Sequence, residues 1–312
     1  MKMCLLIRFS RGKRKAEEYW QRSSVRRIIG LGTTKSLAIL PLIDWYTSSE
    51  GLKGEAGVSY LIQTDSNSIL FDVGYNVEQS DPSPLLHNMK LLGISMDDFD
   101  AIVISHNHCD HVGGTKWEKR KSFSLTSHQV NLVGKAAYTP IPMTYPGLNP
   151  LCTETPTVIA TGVATIGTIA NQDFFLGWIL EQALAVNVEG KGIVLIMGCG
   201  HQTLSKITSR AEALFEEPIY GVIGGLHYPA TDSREKTMGI KIQKYAGTCR
   251  LPWKPITMKD VQKSIDYLKK LSPGVVGLSA HDSCDASIAA FRNAFPNAYR
   301  DVKVGGGIAI GS

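Results

Sequence analysis

The stretch VISHNHCDHVGG, Val103 to Gly114, puts three histidines and an aspartate into six positions: His106, His108, Asp110 and His111. It follows DAIVIS, an apolar run that reads as a buried strand. Along an extended chain, residues two apart project to the same side. His106 and His108 can therefore present their imidazoles to one ion. The turn that follows can aim Asp110 and His111 at a second. Imidazole and carboxylate are the donors that zinc prefers at neutral pH. Two neighbouring ions can acidify a water and clamp a hydrolytic transition state. A histidine-rich loop without a metal is the plainer reading, but four donor residues at this spacing behind a strand argue for a centre.

Outward from the cluster the chain reads as alternating strands and helices. KSLAILPLIDWY, VSYLIQT and NSILFDVG are short apolar runs broken by turn residues. SPLLHNMKLLGI has helical spacing and ends at Gly93, a helix-terminating glycine. TVIATGVATIGTI, ALAVNV and GIVLIMG read as further strands, followed by a helix from Thr203 to about Phe215. ITMKDVQKSIDYLKKLSPG is an amphipathic helix, with Thr257 and Asp260 as its cap pair and Val261, Ile265, Leu268 and Leu271 as its core stripe. The expectation is a layered α/β (α+β) domain over residues 36–312. The Pro- and Tyr-rich segment near 135–157 is expected to cover the active site.

The 312 residues carry a net charge of +5, unevenly placed. Residues 1–35 hold ten Lys/Arg against Glu17 and Glu18, which leaves the remainder at −3. The segment reads as a basic N-terminal extension, loose and solvated, or as an arm for nucleic acid or acidic lipid. The six cysteines lie far apart. No secretory leader and no membrane-length apolar run is visible, so a soluble, cytoplasmic protein with free thiols is expected. The oligomeric state, monomer or homo-oligomer, stays open.

SHNHCDHVGG resembles the H-x-H-x-D-H signature of the metallo-β-lactamase superfamily. GVSYLI, LLHNMKLLGI, EQALAV, MGCGH, GGLH and His281 are similar to one branch of it. Its members are described as dihydropterin–ribofuranosylaminobenzene phosphate synthases or as metal-dependent hydrolases. The resemblance implies a four-layer αββα sandwich with metals at one edge between the sheets. It implies two divalent ions, Zn²⁺ first, with Mn²⁺ or Fe²⁺ as alternatives. Asp72, in ILFDVG, would support the metal loop, and His281 would be the last metal ligand. Where the superfamily has a bridging aspartate, this chain has Cys199, with His201 two residues on; either donor suits zinc. No residue matches the superfamily's separate middle histidine. Asp173 lies in the right region without a motif around it.

His227, after paired glycines, resembles the branch's G-G-x-H element and reads as a pocket residue. Tyr228 reads as packing, His87 and His128 as surface residues, and Cys109 as a filler within the signature. The implied activity is a binuclear hydrolase that uses a metal-bound hydroxide on a small ester, lactone or phosphoester, pterin- or phosphate-containing substrates included. Asp110 would orient the hydroxide and His227 would stabilise the oxyanion. The alternatives are a nucleic-acid phosphodiesterase, disfavoured by the acidic body, and a non-catalytic metal- or ligand-binding relative.

Overall fold

The computed structural model describes residues 2–234, 236–237 and 240–311. Strands are numbered in chain order. The first sheet contains β1 (Ser36–Ile43), β2 (Ser59–Thr64), β3 (Ser68–Phe71), β4 (Ala101–Val103), β5 (Ala136–Thr139), β6 (Leu151–Cys152) and the last strand, β17 (Ile308–Gly311), in the order β17-β1-β2-β3-β4-β5-β6. The second contains β7 (Thr157–Ala160), β8 (Val163–Thr165), β11 (Leu184–Val188), β12 (Gly192–Met197), β13 (Ile219–Gly224) and β16 (Val275–Leu278), in the order β16-β13-β12-β11-β8-β7. Two hairpins stand apart: β9 (Ile169–Asp173) with β10 (Gly177–Glu181), and β14 (Lys236–Thr237) with β15 (Ile240–Lys241). The helices are α1 (Lys2–Arg22), α2 (Pro84–Leu91), α3 (Cys109–Val112), α4 (Thr115–Arg120), α5 (Leu204–Leu214), α6 (Met258–Lys270) and α7 (Asp285–Ala294).

Strand alternation sorts the apolar residues into layers. Tyr60, Ile62, Ile69, Phe71 and Val103 face Val194 and Ile196 of the opposite sheet. The intervening Leu61, Leu70 and Ile102 pack outward against Leu85 and Met89 of α2 and Trp117 of α4. On the other side, Ile193, Leu195 and Met197 meet Ile207 of α5, Val261 of α6 and Phe291 of α7. The result is helix, sheet, sheet, helix: the expected four-layer αββα sandwich. Each fully buried aliphatic side chain contributes about 1.5–3 kcal/mol.

Helix ends follow local chemistry. Thr203 and Phe215 flank α5 as its caps. The box at α6 forms: Thr257 N and Oγ1 donate to Asp260 Oδ2 at 3.0 and 2.7 Å. Arg250 Nη1 adds an ion pair at 3.0 Å. Burial opposes the charge on Asp260, but these bonds outweigh it and hold the carboxyl down to about 2. Its contribution is therefore present above its ordinary 3.8 and lost as pH falls through about 2. Asp260→Asn is expected to cost about 1 kcal/mol in urea unfolding at pH 7 and to remove that acid-limb dependence.

Two segments differ from expectation. Residues 2–22 form the helix α1 where a loose extension was expected. Its Phe9 packs on Phe174 (centroids 5.6 Å), Tyr19 on Trp178 (6.3 Å), and Lys206 pairs with Glu17 at 2.8 Å. The segment 135–157 turns away from the site. Met143 and Tyr145 join the outer core beneath the first sheet, and Tyr145 stacks on Phe123 at 4.7 Å. Among the described residues, no helix is long and apolar enough to cross a membrane.

Candidate metal centre

Each sheet contains a parallel run, β3-β4-β5 and β12-β13-β16, and the residues of interest follow the C-terminal ends of these strands. Asp72 follows β3. Ser105 to His111 follow β4, with His108 capping α3. Cys199 and His201 follow β12, His227 follows β13, and His281 follows β16. Both sheets thus feed one edge. The paired glycines before His227 permit this convergence. A Cβ on Gly225 would lie 2.0 Å from Gly198 O and 2.6 Å from Asp282 Oδ2.

The imidazoles are oriented from behind. Ser105 Oγ donates to Asp72 Oδ2 at 2.7 Å and so accepts from His106 Nδ1 at 2.9 Å. His111 Nδ1 donates to Asp72 Oδ2 at 2.7 Å. Ser279 Oγ donates to Asp44 Oδ2 at 2.6 Å and accepts from His281 Nδ1 at 2.6 Å. His201 Nδ1 donates to Gly247 O at 2.7 Å. Each of these four rings spends its Nδ1–H outward and turns its Nε2 lone pair inward, the tautomer that metal ligation requires.

The inward atoms converge on Cys199. Its Sγ lies 3.1 Å from His111 Nε2 and 3.2 Å from His281 Nε2. Asp110, His111, Cys199 and His281 form one group of donors, all within 4.8 Å of one another. His106, Cys199 and His201 form a second, and Cys199, His227 and Asp282 a third. The His108 ring stands beside this second group, 4.5 Å from His106 and 5.1 Å from His201. His106 Nε2 and His201 Nε2 are buried without a protein partner. Two buried lone pairs aimed at a thiol are costly unless something accepts them. The donor set therefore fits divalent metal.

The electrostatics agree for every ring but His111, whose Nε2 an incoming ion would have to deprotonate. Burial pushes His106, His201 and His281 well below their ordinary 6.5, and His108 down to about 4, so these rings are neutral at pH 7. Burial also opposes charge on His111, but Cys199, Asp110 and Asp72 together outweigh it and raise this ring well above 6.5. Burial pushes the Cys199 thiol well up.

Asp173, weighed as a stand-in for the middle histidine, is elsewhere engaged. Its Oδ1 accepts from Phe175 N and Leu176 N at 2.9 and 3.0 Å, and its Oδ2 from Cys249 N at 3.0 Å. The His201 ring lies beside those of His106 and His108, with centroids 5.0 and 5.1 Å away. His87 bonds Gly51 O and His128 pairs with Asp81, both away from the cluster. Tyr228 packs on Phe291 and donates to Ser264 Oγ at 2.7 Å.

A cavity of about 180 Å³ opens beside the cluster. His108, Asp110, Cys199, His201, His227 and Asp282 line its floor; Leu176, Ile242, Gln243 and Gly247 line its wall. The cover thus comes from residues 242–247 and the β9–β10 turn. His227 Nε2 donates to Ala246 O at 3.1 Å, and its Nδ1 points at Asp282 Oδ2, 3.9 Å away.

Sequence reasoning did not find Glu181, Asp282, Asp44, Ser105 or Ser279 in these positions. Glu181 is buried. Its Oε1 accepts from Cys199 N (3.0 Å) and Gly200 N (2.8 Å), and its Oε2 from His201 N (2.7 Å). It fixes the turn that carries both donors. The only signal was its place at the head of EQALAV.

The fold is of the metallo-β-lactamase type. Residues 52–123 match the family model of the metallo-beta-lactamase superfamily. Over 265 residues it is 26% identical to the 7,8-dihydropterin-6-methyl-4-(beta-D-ribofuranosyl)-aminobenzene-5'-phosphate synthase of Methanocaldococcus jannaschii, covering 72% of this chain and 88% of that one. Two solved structures share the fold. Tm1679, a metal-dependent hydrolase of the beta-lactamase superfamily, superposes with a TM-score of 0.59 at 21% identity, over 88% of this chain and all of that one. YhfI from Bacillus subtilis, a metallo-beta-lactamase fold protein, gives 0.53 at 14% identity, again over 88% of this chain and all of that one.

Proposed function

We propose that the protein is a binuclear metal-dependent hydrolase of a small ester, lactone or phosphoester. The observation that carries this reading is the convergence of inward-facing Nε2 atoms, each ring tied outward by its Nδ1, on the single Cys199 sulfur. His106, His108 and His201 would hold one ion and Asp110, His111 and His281 the other, with Cys199 between them. Thiolate and imidazole favour zinc over the harder manganese or iron. When bound, such ions supply Lewis acidity and an acidified water.

The chain's own residues do the rest. Asp110, which burial opposes but His111 holds well below the usual carboxylate range, stays ionised and accepts a hydrogen bond at the cavity floor. His227 and Asp282 line the cavity in which a substrate would sit. Leu176, Ile242 and the 246–247 backbone exclude water from the wall. The name of the Methanocaldococcus relative makes pterin- and phosphate-bearing compounds the first substrates to try. The nucleic-acid reading loses support because Lys13 and Lys15 of the basic segment turn onto the protein, the latter 4.8 Å above the Trp178 ring.

The test is metal content per chain on protein purified without chelator, followed by a screen of esters, lactones and phosphoesters. About two zinc ions per chain and turnover abolished by chelator are expected. One ion or none sinks the binuclear reading; two ions with no turnover on any class would make the protein a metal-binding relative instead.

A further inference from the structure

We propose that helix α1 is part of the metal centre's support and that Lys13 is a positioning residue acting on His201. The proposal rests on the reading that His201 holds an ion. Lys13 Nζ donates to Asn171 Oδ1 at 2.7 Å and lies 3.4 Å from Cys249 O. Asn171, buried on β9, donates through Nδ2 to His201 O at 2.5 Å. His201 Nδ1 donates to Gly247 O, two residues before Cys249. One ammonium therefore touches both the side chain that holds His201's backbone and the segment that holds its ring.

The ammonium also settles which way Asn171 points. An asparagine amide offers an oxygen at one end and an NH₂ at the other, nearly equal in shape. With a cation at Oδ1, the NH₂ must face His201 O. The flipped amide would set NH₂ against ammonium and oxygen against oxygen. Gln172 N, donating to Asn171 Oδ1 at 2.9 Å, favours the same orientation. The helix is held firmly enough to act. Gly12 lies so close to β9 that a Cβ there would sit 2.1 Å from Gln172 Oε1, and the Phe9 and Tyr19 contacts clamp either side of Lys13. Burial lowers the pKa of Lys13, as expected for an ammonium partly withdrawn from water.

The experiment titrates the full-length metal-free chain with zinc against a chromophoric chelator and records the visible spectrum of the cobalt-loaded protein. Lys13→Met keeps the apolar stem and removes the charge. Tyr19→Phe is the control, since it loosens the same helix through its bonds to Thr168 and Glu154 without touching the chain to His201. In Lys13→Met one of the two ions is expected to bind about tenfold more weakly, the low end for loss of a ligand's outer partner. Its cobalt bands should shift, with the other ion and the Tyr19→Phe protein unchanged. Unaltered affinities and spectrum in Lys13→Met would overturn the proposal. So would equal weakening of both ions in both variants, which would mean general loosening. A wild-type chain that binds no metal would instead overturn the metal reading itself, whatever Lys13 does.

Discussion

Cys199→Ala is expected to strip the protein of both ions. The sulfur belongs to each of the three donor groups and stands 3.1–3.2 Å from two imidazole nitrogens, so its loss opens both coordination sets at once. Elemental analysis should fall from about two ions per chain to below about one, and turnover by roughly a thousandfold or more. Cys199→Asp, the residue type the superfamily resemblance places there, should retain ions that Cys199→Ala loses. Because burial raises this thiol, the bare protein holds its proton at pH 7 and an incoming ion must displace it. Apparent zinc affinity should accordingly rise with pH, about tenfold per unit for each proton displaced, and lose part of that slope in Cys199→Ala. Two ions retained in Cys199→Ala would show that the thiol is a buried bystander.

The second large effect is on stability. Glu181→Ala removes the acceptor of three successive backbone N–H groups in a site closed to water. Each buried donor left unsatisfied costs about 1–3 kcal/mol, so a loss of about 3–5 kcal/mol is expected after relaxation. That is a large share of the 5–15 kcal/mol typical of a domain. Glu181→Gln keeps one oxygen and should lose less. Burial raises Glu181 from 4.5 to about 7, despite the N–H bonds. Its contribution is thus fullest below 4.5 and fades as pH rises through about 7. Urea midpoints between pH 4 and 8 measure this, and the glutamine variant should remove that component. An unchanged midpoint in Glu181→Ala would mean the 199–201 turn is held by packing alone.

Much of the fold was legible because its signals are local. Period-two strands such as SYLIQT and SILF, the Thr257/Asp260 cap and the glycine after α2 each carry their own physics within a few residues. The cluster at 106–111 was legible for the same reason: its donors are consecutive. What escaped is what depends on distance along the chain. Glu181, the last residue of β10, meets the backbone of residues 199–201 only in the folded chain. Asp44 reaches His281 across 237 positions through Ser279. No separate motif for a middle histidine stands in the sequence, and the ring that lies beside His106 and His108 is that of His201, within the G-C-x-H element. The basic composition of residues 1–35 spoke for solvent, but composition does not report that Phe9, Ala16 and Tyr19 share one face. The 135–157 segment misled for the opposite reason, since aromatic and proline residues fill a core as readily as they cap a pocket.

The two sheets meet at the site, and this gives the molecule a modular consequence. Residues up to 152 carry Asp72, His106, His108, Asp110 and His111; residues beyond 157 carry Cys199, His201, His227 and His281. The link between them passes through exposed Glu154 and Thr155. A chain severed there would yield two inert fragments, each with half of the donors. The C-terminal piece would still hold β17, whose pairing with β1 offers a handle for recapture. Metal retained at the shared donor groups would then report whether the pieces had found each other.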